Sequence, residues 1–321
     1  MRISKISNSP SLLLVDEETA DWLEKFRVVN AQTRRWIELT QPGKLAAYTF
    51  GHGGFERTRL ASDLIAWLFL FDDAYADGMH STNVLALQRE HRRYDALLKG
   101  DFAAAPKNAF GQSLADLLRR FRATAPSSFV DRLGASIRLY LDGCELETSY
   151  RGQQRTPSIE GYSWYRDRSI GVYPMLDLIE YANDAYLTPH ESRSPIVSAL
   201  RRSASLLIAI TNDVHSSRKE AMESESFNAV LVYQRQYNLA RESAVESARA
   251  LQERFRSEFE HFCDVCRPHA SEGLLGLMAG VGIWEEGNER WSAECPRYNE
   301  LSEPIDAFRP PPSAPEHQPA G

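Results

Sequence analysis

The 321-residue chain is poor in cysteine, has no surplus of positive charge and contains no long apolar run. Each shortage excludes something. Cys144, Cys263, Cys266 and Cys295 are the only cysteines. Cys263 and Cys266 make one CxxC, with His261 and His269 close by. A structural zinc takes a second such pair, and a redox pair sits beside a βαβ pattern. Neither is present, so the cysteines read as reduced structural thiols of a cytoplasmic protein. The formal net charge of −7 removes the bulk electrostatic footprint of a nucleic-acid binder and leaves room only for a local anion site. No stretch approaches the roughly 18 apolar residues of a membrane span. Ser11 to Val15 is too short for a signal segment with its cleavage site.

What is present is apolar residues at helical spacing. They make up 43% of the chain, ample for a sizeable core. There is no run of alternating strands and no internal repeat. The pattern predicts an all-α bundle of about ten to twelve helices in one domain. Residues 1–15 read as a flexible lead-in, 16–302 as the folded domain, and the Pro-rich stretch 303–321 as a disordered tail. Asp16 is expected to cap the first helix. Arg57 to Tyr75 reads as a helix apolar on all sides, hence buried in the bundle. His190 to Glu220 and Asn228 to Phe262 each read as one long helix.

Two acidic stretches carry the chemistry. In Asn212-Asp-Val-His-Ser216-Ser-Arg-Lys219-Glu220, oxygen-bearing side chains recur at i, i+4 and i+8. Each four-residue step turns a helix by only about 40°, so Asn212, Ser216 and Glu220 share one stripe. An amide, a hydroxyl and a carboxylate suit a hard divalent cation, and Lys219 adds a charge that binds phosphate. The bland alternative is a solvated helical face. Upstream, Asp72-Asp73-Ala-Tyr-Ala-Asp77 directly follows the run Leu64 to Phe71; its bland reading is an acidic surface turn. Carboxylates there oppose the helix dipole, a penalty a cation would remove. On a helical wheel Ala61, Ile65, Leu68 and Phe69 share the Asp72 face, and Arg201, Ser205, Ile208 and Ala209 share the Asn212 face. Two such helices would line one cavity, oily below and metal-binding at its mouth.

These motifs resemble class I terpene synthases (terpene cyclases) of the single-domain microbial type. Trp67-Leu-Phe-Leu-Phe-Asp72-Asp73 resembles the aspartate-rich motif with its lead-in. Asn212 to Glu220 matches the second metal motif, ND(L/I/V)xSxxxE, at every defined position. Arg166 lies where the family places its diphosphate-sensing arginine, and Arg297-Tyr298 resembles the C-terminal RY pair. The commonest aspartate-rich motif is DDxxD. Here its fifth position is Ala76, and Asp77 comes one residue later.

The resemblance implies a helical bundle around a central apolar cavity and ionisation of a linear isoprenoid diphosphate with release of diphosphate. It implies three Mg2+ ions, for which Mn2+ can substitute: two at Asp72 and one at Asn212, Ser216 and Glu220. Asp73 and Asp77 are candidates for a metal or for a supporting contact. Arg166, Lys219, Arg297 and Tyr298 would donate to the diphosphate. A helix break near Ile170 and Gly171 would turn a backbone carbonyl toward the breaking C–O bond. Ile65, Leu68, Phe69, Tyr173, Ser205, Ile208, Ala209 and Trp291 are the expected pocket lining, the aromatic faces stabilising cations. Family habit adds a homodimer. Farnesyl diphosphate is the expected substrate. Geranylgeranyl diphosphate is the rival, because Ala61, Ser205 and Ala209 would leave room for it. A chain-elongating prenyl diphosphate synthase would carry a second aspartate-rich motif, and a ferritin-like di-metal bundle two ExxH pairs, where only Glu258-x-x-His261 exists. A non-catalytic helical metal-binding protein is disfavoured by the intact second motif.

Overall fold

The computed structural model describes residues 10–30, 34–222 and 227–296, without the side chains of 10–13, Asp77, Lys219 and Met222. Among the described residues there are fourteen α-helices and no strand. In chain order they are α1 (Pro10–Lys25), α2 (Arg35–Thr40), α3 (Pro42–Phe50), α4 (Phe55–Phe71), α5 (Val84–Arg92), α6 (Asp95–Leu98) and α7 (Ala109–Thr124). There follow α8 (Ser127–Gly152), α9 (Ile159–Ser169), α10 (Val172–Asn183), α11 (Pro195–Met222), α12 (Ala229–Tyr237), α13 (Arg241–Cys266) and α14 (Glu272–Glu294). None is long and apolar enough to cross a membrane.

The all-round apolar sequence of α4 has the consequence expected of it. From Leu60 to Phe71 every residue but Phe69 is buried, so α4 runs through the bundle with α1, α3 and α7 packed around it. Polar side chains at helix starts take up orphan N–H groups: Asn108 accepts from Gly111 (2.7 Å), Asn228 from Val230 (2.9 Å) and Ser271 from Leu274 (3.2 Å).

Three local expectations change. The first helix begins at Pro10 rather than Asp16. Asp16 does not cap it; its carboxylate accepts the Gly43 N–H at 2.7 Å and is pushed up to about 7, chiefly by burial. Pro195 does not bend a long helix but opens α11, at a position where a missing N–H costs nothing. The stretch from Asn228 is two helices, because Asn238 adopts left-handed backbone (φ 52°) and closes α12. Asn tolerates that conformation without the glycine that would have announced it.

Beneath the centre of the bundle lie three buried charges, Asp177, Glu180 and Arg201, with the half-buried Arg132 beside them. Arg201 of α11 holds Asp177 of α10 at 2.8 Å and lies 3.6 Å from Glu180. Arg132 of α8 pairs with Glu180 and lies 3.6 Å from Asp177. Burial, with Asp177 close by, pushes Glu180 up to about 7. The quartet ties α8, α10 and α11 together.

Candidate active site

Beyond Phe71 the chain does not continue as an α-helix. Asp72–Met79 winds as a π-helical turn, and Gly78 leaves helical geometry (φ −96°, ψ −109°). The i→i+5 hydrogen bonding of such a turn sets the backbone of Asp77 one turn beyond Asp72. Asp72 is half-buried and faces a cavity. Tyr140 of α8 donates to its Oδ1 at 2.7 Å, and the Cys144 thiol lies 3.5 Å from the same oxygen. Burial raises its carboxyl above the ordinary range; the Tyr140 bond opposes the rise and the charge of Asp73 adds to it. Asp73 is buried, and the Trp36 indole N–H donates to it at 2.9 Å.

Across the cavity stands the end of α11. Asn212 and Glu220 line the wall, with Ser216 buried between them on the same stripe. One residue braces this stripe from outside. The Asn228 side-chain amide donates to Glu220 Oε2 (3.0 Å), Ser216 Oγ (3.4 Å) and the Asp213 carbonyl (2.7 Å), while its Oδ1 starts α12. Asp213, turned away from the stripe, is fully buried. It accepts from Arg166 (2.8 Å), from the Ala229 N–H (2.8 Å) and from the Tyr162 hydroxyl. Burial is the main cause that lifts its carboxyl well above the ordinary range, and Glu220's charge adds to it.

Between these two walls α9 gives way to α10. Gly171 sits in left-handed backbone (φ 74°) and, with Ile170, lines the cavity. Helix α8 presses against this break: a Cβ on Gly143 would lie 2.4 Å from the Ser169 nitrogen. Glu147, one turn further along α8, accepts from the Ser169 hydroxyl and from Arg166 at 3.3 Å. Ile65, Leu68, Phe69, Met175 and Ile208 line the apolar part, and the ring centroids of Phe69 and Trp291 lie 6.1 Å apart.

Does this set suit a metal? The facing donors are oxygens, two carboxylates with an amide and a hydroxyl, as hard divalent cations require. The crowded, half-buried Asp72 carboxyl carries an unfavourable charge that a cation would offset. No cluster of three His, Cys, Asp or Glu side chains closes on one point among the described residues. The donors fit as two half-sites on opposite walls.

The family model described as terpene synthase family 2, C-terminal metal binding, matches residues 63–264. The chain belongs to the terpene synthase family. The synthase is 30% identical over 294 residues to (+)-T-muurolol synthase of Roseiflexus castenholzii, covering 90% of each chain. It is 28% identical to 10-epi-cubebol synthase of Sorangium cellulosum, covering 91% of this chain and 94% of that one. Among solved structures, the SVS_A2 protein from ancestral sequence reconstruction superposes with a TM-score of 0.80 at 25% identity, covering 88% of this chain and 86% of that one. Germacradien-4-ol synthase of Streptomyces citricolor shares the fold at a TM-score of 0.73 and 22% identity, covering 89% and 95%. The synthase thus has the class I helical fold, acts as a lyase on a prenyl diphosphate and binds divalent metal.

Of the residues singled out in its sequence, one cavity brings together Asp72, Asp73, Asn212, Glu220, Arg166, Ile170, Gly171, Ile65, Leu68, Phe69, Ile208 and Trp291. Three expected lining residues lie elsewhere. Tyr173 gives its hydroxyl to Asp167 at 2.8 Å and its ring to Arg201. Ser205 donates to the Asp167 carbonyl at 2.6 Å, and Ala209 is fully buried outside the lining. Ala61 is likewise core. The side chains of Asp77 and Lys219, and Arg297 and Tyr298 entirely, lie outside the described residues.

The cavity of the synthase also holds residues its motifs did not announce. Tyr140, Glu147 and Arg151 line the cavity from α8, and with Cys144 they recur at i, i+4, i+7 and i+11. That is a readable helical stripe, hidden because Glu147 and Arg151 stand singly among the many charged residues of α8 and match no metal or phosphate motif. Trp284 and Asn288 precede Trp291 on α14 in the same way.

Proposed function

We propose that the synthase ionises and cyclises farnesyl diphosphate in a Mg2+-dependent reaction that yields a terpene hydrocarbon or alcohol. The observation carrying this reading is a single cavity with Asp72 on one wall and Asn212 and Glu220 on the other, above an apolar wall of Ile65, Leu68, Phe69 and Met175. Such a space suits an anionic head and a hydrocarbon tail. When bound, divalent ions held by Asp72 and by Asn212, Ser216 and Glu220 supply the positive charge that offsets the departing diphosphate.

The chain's own residues do the rest. Arg166, fixed by Asp213 and Glu147, is placed to donate to the diphosphate, assisted by Lys219, Arg297 and Tyr298. Phe69 and Trp291 present aromatic faces to the cation, each interaction worth about 2 kcal/mol or more once desolvated. Leu45, Trp284 and Met175 shape the chamber and exclude bulk water.

Fifteen carbons are favoured over twenty for two reasons. The apolar part of the cavity is lined by the bulky Ile65, Leu68, Phe69 and Met175. The small residues that would have enlarged it, Ala61, Ser205 and Ala209, do not line it. The name of the muurolol synthase relative also specifies farnesyl diphosphate cyclisation.

Incubation with geranyl, farnesyl and geranylgeranyl diphosphates, with Mg2+ or with EDTA, tests the proposal. Cyclic C15 products only with farnesyl diphosphate and Mg2+ are expected. Turnover confined to geranylgeranyl diphosphate would replace the substrate, and elongation by isopentenyl diphosphate would replace the reaction.

A further inference from the structure

One polar group in the cavity has no use in the reading above. Asn288 of α14 lines the chamber and is only 3% exposed. Its side-chain amide makes no hydrogen bond with any described residue. That amide opens onto the cavity rather than being sealed in its wall, where a leucine of the same shape would present only apolar surface.

The neighbours on the same face sharpen the point. Trp284 and Ser292 stand one turn to either side of Asn288, and each leaves its indole N–H or hydroxyl buried and unpartnered. Trp291, by contrast, commits its N–H to the Thr40 carbonyl at 3.0 Å. The Trp284 nitrogen and the Ser292 oxygen are sealed from the cavity, whereas the Asn288 amide opens onto it. A hydrocarbon tail cannot satisfy that amide. Because it both donates and accepts, it offers a water the two polar partners that holding one requires.

The height of this site follows from packing. Gly280 of α14 lies against Ile179 of α10, and the two helices run antiparallel. Asn288 is about 12 Å further along α14, and Val172 about 10 Å back along α10. Asn288 therefore lies at about the level of the α9–α10 break, lining the same cavity as Ile170 and Gly171. Glu289 beside it reaches to 4.0 Å from His215 of α11. The water would thus lie beside the place where the diphosphate departs.

We propose that Asn288 seats a water molecule in the cavity wall and that this water captures the final carbocation, so that the synthase releases a terpene alcohol. The inference rests on the reading that the cavity ionises a prenyl diphosphate. A water lone pair forms the C–O bond to the cationic carbon. The resulting oxonium loses its proton to the departed diphosphate, which is the base. Asn288 is a positioning residue for this step.

The test uses full-length enzyme, farnesyl diphosphate and Mg2+ in ¹⁸O-water, and reads diphosphate release and product identity separately. The parent enzyme is expected to give mainly an alcohol carrying solvent oxygen. In Asn288→Leu the ratio of alcohol to hydrocarbon should fall about tenfold, as loss of the water's hydrogen bonds implies. Asn288→Ala serves in its place if the leucine variant releases no diphosphate. A purely hydrocarbon product from the parent overturns the proposal while leaving ionisation standing, and so does an unchanged ratio in the variant. If neither variant releases diphosphate, the proposal also fails, because seating a quenching water is dispensable for ionisation. No diphosphate release by the parent from any prenyl diphosphate defeats the underlying reading itself.

Discussion

At the scale of single residues, the two walls differ in how their ligand candidates are held. Asp72 has one oxygen engaged by Tyr140, whereas Glu220 and Ser216 share one donor, Asn228. Asp72→Ala or Asn212→Ala should abolish turnover while leaving the helical circular dichroism nearly intact; loss of fold in both would undercut the ligand assignment. Asn228→Asp separates two tasks of one side chain. A carboxylate caps a helix as well as an amide does, but in this buried position it would also face the Asp213 carbonyl and Glu220, so thermal stability should fall as well. The donor to Glu220 is gone and a like charge replaces it. The Mg2+ concentration needed to stabilise the pyrophosphate complex against heat should therefore rise, by about tenfold if one charge-assisted bond is lost. An unchanged requirement would make Asn228 a helix cap only. Asn212 and Asp72 were legible in the chain because type and spacing coincide there with a buried helix end. Asn228 was not, since a lone asparagine before a helix announces no more than a cap.

Among elements, the interruptions decide the geometry. Gly171 (φ 74°) is the hinge of the α9–α10 break. Gly171→Ala forces a side chain into left-handed backbone, at about 1–2 kcal/mol, and should lower kcat more than stability if it shifts Ile170. Gly143→Ala drives a methyl into the Ser169 backbone; thermal unfolding should register it more strongly than Gly171→Ala. Periodicity found α4 and α11 because both carry long uninterrupted apolar faces. It joined α12 to α13 because Asn238 bears no breaker's signature. It also put Ser205 and Ala209 on the wrong side, since a wheel centred on Asn212 cannot know that α9 claims that flank through Asp167. The spacing of Asp72 and Asp77, puzzling for an α-helix, equals the hydrogen-bond step of the turn that contains them.

For the whole molecule, burial of charge sets the response to pH. Asp16 titrates near 7 in the fold against about 3.9 in an unfolded chain. The folded state therefore binds the extra proton between those values, and stability falls as pH rises from about 4 to 7. Asp16→Asn should flatten that decline in denaturant titrations at several pH values; a slope equal to the parent's would mean the carboxyl is ionised throughout.

The quartet of Arg132, Asp177, Glu180 and Arg201 has a mechanical consequence. Sliding α10 along α8 or α11 would strand a charge in a dry interior, at about 3–5 kcal/mol for each broken pair. The packing of α8, α10 and α11 around this quartet, outside the cavity lining, is thereby fixed once, when the protein folds. Admission of substrate and discharge of product must draw their compliance from other parts of the fold, so that one enzyme combines an unyielding frame with an adjustable doorway.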